Sequence, residues 1–289
     1  MEPKPNLHSQ ETSNEKLLND LQRSINDAPT LEKVSADFTV TFNRLGASKE
    51  NAKNFSEFVL LSIKSSSTIE ESESKIKTFF ETEKIEGKTI FTMIQEGLQG
   101  RFEIIFDQLK PYLKDIHGKV IDYGCGSGSL TQIFHDRLGL DIEGVDVRNF
   151  KGKNVSVPVR IFDGYKVPVS DKQYEAAVLT NVIHHEKDNE KILEELDRIV
   201  EKNLIIIETV PEADNDTAAK KDWGRMLLND TLWNRFFNYA NIPVPGTYET
   251  PNQWIERFKK YGWKVKASQD LGFDQPTIQD RHHLFVFER

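Results

Sequence analysis

Across residues 1–110 apolar side chains recur at three- and four-residue spacing, and no stretch alternates as a strand does. Leu17, Leu18, Leu21 and Ile25 form one such stripe, preceded by Thr12 and Glu15 at capping-box spacing. The pattern predicts a second helix over 31–45, stopped by Gly46. A third follows Ser48, with Phe55, Phe58, Val59 and Ile63 on its apolar face. A fourth follows the pair Thr68 and Glu71, with Ile69, Ile76, Phe79 and Phe80. A longer helix is predicted over 89–109, and Pro111 should end or kink it.

From Gly118 the pattern changes. Short β-branched runs at 119–123, 142–147, 157–162, 176–180, 204–210, 263–268 and 283–287 read as strands. Between them lie helical faces. One is Leu130, Ile133, Phe134 and Leu138, closed by Gly139; another is Ile192, Leu193, Leu196, Ile199 and Val200. Thr250, Pro251 and Gln253 mark a helix start, and Gly262 its stop. Strands alternating with helices of this length imply βαβ units and an α/β, doubly wound parallel sheet. The chain thus divides into a helical N-terminal extension over 1–110, read as a cap, and an α/β domain over 111–289 interrupted by an insertion at about 211–249.

Charge narrows the partners. Thirty-eight basic residues against 46 acidic ones give −8 over 289 residues. Residues 1–110 hold 14 basic and 18 acidic side chains, so each part carries −4 and no basic arm is split off. Nucleic-acid binding led by phosphate contacts is not expected. No apolar run approaches the roughly 20 residues that span a bilayer, and Met1–Ser13 has no apolar signal core. The single cysteine, Cys125, permits no internal disulfide. A cytoplasmic protein in a reducing compartment is expected, with no membrane contact. No metal site is expected either, because no ligand set stands at suitable spacing.

The sharpest local signal is Val120-Ile121-Asp122-Tyr123-Gly124-Cys125-Gly126-Ser127-Gly128, between a strand and a helix. Gly124 and Gly126 permit a tight turn and close approach of backbone to a ligand. The spacing is G-x-G-x-G, so it departs from the dinucleotide pattern G-x-G-x-x-G. Asp122, two residues before the first glycine, suits a cationic ligand group better than a phosphate. Asp146 ends the next strand, where a carboxylate can accept from vicinal ribose hydroxyls. Asp163 ends the strand after that and can accept from an exocyclic amine. Any one of these acids could simply cap its loop; three at successive strand ends beside a glycine loop point to a nucleoside.

With these residues the chain resembles the class I S-adenosylmethionine-dependent methyltransferases, from about Val120 to the C-terminus. The resemblance continues through Gly144-Val145-Asp146-Val147, Asp163-Gly164, Val178-Leu179-Thr180-Asn181-Val182-Ile183-His184-His185 and the helix Lys191–Ile199. It is similar to the branch holding quinone-biosynthesis and many natural-product enzymes, with Tyr174-Glu175 where the family often has Phe-Asp. It implies a seven-stranded sheet of order 3-2-1-4-5-7-6 with the last strand antiparallel. By position, Asp122, Gly124, Cys125 and Gly126 would hold the methionine end of the cofactor. Asp146, with Val147 beside it, would hold the ribose, and Asp163 with Gly164 the adenine. Thr180 and Asn181 would line the cofactor near its sulfonium.

His184 and His185 fall just past the fourth strand of that sheet, where either could take a proton from an acceptor; His185 is favoured. The bland alternative has one histidine bonding backbone and the other packing. The aromatic insertion is expected to be a substrate lid, with Trp223, Arg225, Trp233, Arg235, Tyr239 and Tyr248 facing the acceptor, although a pair of helices packing their aromatics into a core would look the same. The expected activity is methyl transfer to O, N or C of a small molecule, in biosynthesis or secondary metabolism. A macromolecule-directed enzyme and a non-catalytic cofactor-binding protein are the rivals, and a nicotinamide dehydrogenase fits worst. The N-terminal helices are left with three roles: closing the pocket, forming a homodimer face, or binding a partner.

Overall fold

A computed structural model describes residues 7–237 and 242–289. In chain order the elements begin with α1 (Leu7–Asn26), α2 (Ala28–Arg44), α3 (Lys49–Lys64), α4 (Ile69–Thr82), β1 (Lys84–Ile85), β2 (Lys88–Thr89) and α5 (Ile90–Leu113). They continue with β3 (Val120–Tyr123), α6 (Ser129–Leu138), β4 (Ile142–Asp146), β5 (Val159–Ile161), β6 (Tyr174–Thr180), α7 (Asn189–Ile199) and β7 (Val200–Val210). The last are α8 (Asp216–Thr231), α9 (Pro251–Lys260), β8 (Lys264–Gly272) and β9 (Arg281–Glu288). The described residues of 1–101, 211–248 and 273–280 form one compact unit; those of 102–210, 249–272 and 281–289 form a second. Among the described residues no helix is long and apolar enough to cross a membrane.

The first unit is helical. Side chains cap the starts of α2, α3 and α4. Asp27 accepts from Thr30 N at 3.1 Å, so α2 begins before the expected residue 31. Ser48 accepts from Asn51 N and Thr68 from Glu71 N, as their sequence positions suggest. Residues 12–15 lie inside α1, which starts at Leu7. The apolar stripes meet in one core, in which Phe42 packs edge-on against Phe55, Phe80 and Phe237 at centroid distances of 5.6, 5.8 and 5.9 Å. Trp233 and Phe236 are buried in the same core, and α8 packs against α1 and α2.

Two local features differ from expectation. Helix α5 runs through Pro111 to Leu113, because a proline this near the helix end forfeits a single backbone bond. The two-stranded hairpin β1–β2 was not expected among the helices. Its turn places Glu86 at φ +50° and Gly87 at φ +84°, the two left-handed residues of a type I′ connection. Glutamate in the first of those positions hides the signal.

The second unit is a seven-stranded sheet of order β5-β4-β3-β6-β7-β9-β8. Counted within the sheet this is 3-2-1-4-5-7-6, as the resemblance implies. Strands β3 to β7 are parallel, and β9 is antiparallel to both β7 and β8. Alternate residues of β6 enter opposite cores. Ala177 and Leu179 join Ile192, Leu193, Trp254 and Phe258 of α7 and α9, while Ala176 and Val178 join Leu109 and Phe134 of α5 and α6. With helices on both faces the central strands are mostly apolar, and the acids within them, Asp122, Glu143, Asp146 and Glu208, are buried. Helix α6 ends at Gly139, φ +68°, and α9 opens with the Thr250–Gln253 capping box.

The hairpin yields a stability prediction. Glu86→Asn, which tolerates the left-handed region better, should raise stability by about 0.5–1 kcal/mol in urea unfolding; an unchanged midpoint would remove the strain assigned to Glu86.

Candidate functional site

Parallel strands all end on one edge, so the loops after β3, β4, β5 and β6 gather there. The loop after β3 bends through Gly124, Gly126 and Gly128 at φ +77°, +54° and +73°. A Cβ on Gly124 would lie 2.6 Å from Val182 Cγ2, in the turn after β6, so no side chain fits. A Cβ on Gly126 would meet nothing within 4 Å, which leaves space beside the loop. Gly124 N and Cys125 N both donate to Val145 O, at 2.8 and 3.0 Å. The Cys125 thiol lies against Gly144, and burial, with Asp122 and Asp146 close by, pushes its pKa well up, so it is a filler and not a nucleophile.

Two carboxylates stand beneath this loop. Asp122 is 2% exposed and accepts from Thr131 Oγ1 at 2.5 Å. Burial pushes its carboxyl up to about 7; the Thr131 hydroxyl opposes that and the Asp146 charge adds to it. Asp146 accepts from Gly126 N at 2.8 Å and Arg148 N at 3.2 Å. Burial raises its pKa too, and those N–H groups hold it back. Val147 is exposed, and one of its methyls lies 3.3 Å from where a Cβ on Gly164 would stand. Asp163 is exposed and accepts from Tyr165 N and Lys166 N, both at 2.9 Å, which keep its carboxyl below the usual range. Its carboxylate closes its own turn.

Thr180 ends β6, and Asn181 follows in the left-handed region at φ +56°. Asn181 N donates to Ile207 O at 2.7 Å, and its Oδ1 is buried with no hydrogen-bond partner among the described residues. His184 and His185 stand on the short 3₁₀ turn that follows, their ring centroids 4.2 Å apart. His184 is buried, with Nδ1 2.6 Å from Glu208 Oε2; His185 is half-buried. Glu208 and Thr131 were not singled out from the sequence. Glu208 had a signal, since an acid inside Ile205-Ile206-Ile207-Glu208-Thr209-Val210 interrupts a buried strand.

Five of the six side chains expected to meet the acceptor fall in the helical unit. Trp223 donates to Gly246 O at 2.8 Å. Arg225, 2% exposed, is held by Asp222 and Asp37. Trp233 packs edge-on against Phe237 at 4.7 Å. Arg235 donates to Glu73 at 2.6 Å, and the Tyr248 hydroxyl to Asp230 at 2.6 Å. Tyr239 lies outside the described residues.

Residues 95–268, more than half of the chain, match a family model described as a methyltransferase domain. The chain is 23% identical to MJ1123, an uncharacterized protein of Methanocaldococcus jannaschii, over 157 residues, 53% of this chain and 69% of that protein. Among solved structures it is similar to geranyl diphosphate C-methyltransferase from Streptomyces coelicolor A3(2), crystallised with Mg2+, geranyl diphosphate and S-adenosyl-L-homocysteine. The TM-score is 0.50 and the identity 12%, over 75% of this chain and 98% of that one. PH0226 from Pyrococcus horikoshii OT3 is similar with TM-score 0.47 and 19% identity, over 66% of this chain and 90% of that one. At 12% identity the likeness to the Streptomyces coelicolor enzyme shows a shared fold alone.

Asp122 makes stability pH-dependent. Its folded pKa, about 7, exceeds the ordinary value of 3.8, so the folded chain binds the extra proton. The associated stability is present in acid and is lost as pH rises towards 7. Asp122→Asn should therefore stabilise the ligand-free protein at pH 8 by roughly 2–4 kcal/mol and much less at pH 4.5. Urea unfolding at both pH values checks this; equal shifts would sink it.

Proposed function

The chain belongs to the methyltransferase-domain family of S-adenosylmethionine-dependent enzymes, and from that premise we propose that its acceptor is a small molecule, methylated on O, N or C. The acidic balance supports this reading, since −8 charges shared evenly along the chain offer no footprint for a polyphosphate acceptor.

The residues after β3, β4 and β6 fit the cofactor, and the observation that carries the assignment is the orphaned Asn181 Oδ1. A buried acceptor left without a donor costs about 1–3 kcal/mol, which a donor on a ligand removes. In the proposed arrangement Asn181 and Asp122 receive the cationic methionine end, where an ammonium would draw the Asp122 carboxyl to its charged form. Gly124 and Gly126 let the backbone approach it. Asp146 spends one hydrogen bond on each of two backbone N–H groups and keeps further lone pairs for ribose hydroxyls. Val147 and Gly164 flank the adenine, and Asp163 shapes that turn through its bonds to Tyr165 N and Lys166 N.

When bound, the cofactor supplies a methyl carbon made electrophilic by a positive sulfur. The chain's part is to align an acceptor with that carbon, for which proximity and orientation can contribute about 7–11 kcal/mol. Where the acceptor must lose a proton, one of His184 and His185 takes it.

Calorimetry should show S-adenosylhomocysteine binding and no binding of NAD. Asp146→Asn should weaken that binding about 10–100-fold, because an amide accepts at only one of its two heavy atoms. Incubation with methyl-labelled cofactor and cell extract should place label in the small-molecule fraction. Label confined to protein or RNA would overturn the small-molecule assignment and leave the methyltransferase activity standing.

A further inference from the structure

Glu208 lies in β7 between Ile207 and Thr209, across from His283 of β9, and is fully buried. A carboxylate in such a place is expensive unless several donors reach it. Three do, and all come from the turn after β6. Oε1 accepts from Val182 N at 2.8 Å and Ile183 N at 2.7 Å, and Oε2 stands 2.6 Å from His184 Nδ1. An oxygen and a nitrogen at that distance share one proton. Burial alone would raise the Glu208 carboxyl, but the His184 ring and the two N–H groups outweigh it and hold the carboxyl below its ordinary range. The group is therefore a carboxylate, and Nδ1 is the donor. In the neutral ring, Nε2 is then the nitrogen that accepts a proton.

The same three bonds fix the turn itself. Its first residue is Asn181, held left-handed with its buried Oδ1, and its second is Val182, whose methyl fills the space beside Gly124. A single carboxylate thus holds a turn that packs against the glycine loop on one side and ends in the histidine pair on the other.

We propose that Glu208 is a positioning residue, which places the proton of His184 on Nδ1 and holds the Asn181–Val182 turn against the glycine loop. This rests on the methyltransferase reading for its use, but its first test does not. The full chain, ligand-free and 15N-labelled, would be studied at pH 7.5 by long-range proton–nitrogen correlation of the histidine rings. His184 would be assigned by its absence from His184→Gln.

The expected wild-type spectrum has a protonated Nδ1. In Glu208→Gln the amide oxygen can keep Val182 N and Ile183 N, while its NH2 group faces His184 and forces Nδ1 to accept, so the proton should move to Nε2. A purely structural glutamate would not produce that exchange. S-Adenosylhomocysteine affinity should stay within about threefold in Glu208→Gln. It should fall about 30-fold or more in Glu208→Ala, where the N–H groups lose their acceptor. A wild-type ring protonated only on Nε2, or an unchanged tautomer in Glu208→Gln, would overturn the proton placement. Wild-type affinity in Glu208→Ala would overturn the hold on the turn. Should Glu208→Ala fail to fold, the other two spectra and the Glu208→Gln affinity still decide. Should the wild type bind no S-adenosylhomocysteine, the functional reading fails while the tautomer result stands on its own.

Discussion

A methyl group of Val182 occupies the space that a side chain on residue 124 would need. This contact joins the loop after β3 to the turn after β6, and the rest of the site depends on it. It requires glycine at 124, because a Cβ there would stand 2.6 Å from Val182 Cγ2 and the backbone is at φ +77°. It also requires Val182 to be held in place, which its N–H bond to Glu208 accomplishes. The loop in turn carries Gly126, whose N–H reaches Asp146 on the next strand. Strands β4, β3, β6 and β7 are thereby linked at this edge by one steric fit and two hydrogen bonds.

Three carboxylates are buried around these strand ends, and each meets the burial penalty differently. Burial lifts the Asp122 carboxyl to about 7, its single hydroxyl partner opposing the rise and the Asp146 charge adding to it, so it remains able to hold a proton. Asp146 is stabilised by two backbone N–H groups on different oxygens. Glu208 has three donors and stays charged. The graded satisfaction has a chemical consequence. The least satisfied acid has most to gain from an incoming cation, and the most satisfied one serves as a fixed anchor.

Much of the α/β unit was legible because its signals are local. Central strands read as apolar runs, the glycine loop sits between strand and helix, and Thr250 with Gln253 marks a start that the structure reproduces. What escaped depended on context. The Glu86–Gly87 turn hid behind a residue seldom found left-handed, and Pro111 stands too near a helix end to break it. The role of Glu208 depends on donors 24 to 26 residues away in sequence, across a strand boundary. The insertion was harder still, since Arg225 and Arg235 meet acids 188 and 162 residues distant, and no periodicity encodes such pairings.

Arg225 shows what those distant pairings accomplish. The described residues of the helical unit come from three separated stretches of chain, within 1–101, 211–248 and 273–280. One guanidinium reaches all three: Nη1 donates to Asp37 and to Gln279 O, each at 2.9 Å, and Nε donates to Asp222 at 2.7 Å. Taking that charge out of water is costly, and an apolar side chain of similar volume would often be as stable. An apolar residue could not discriminate among packings, however, whereas a planar fork of donors is satisfied only when the acceptors arrive in the right places. A lysine would present a compact charge without that fork. The insertion's arginine thus bonds to all three stretches at once, through a fork of donors whose geometry neither a lysine nor an apolar side chain reproduces.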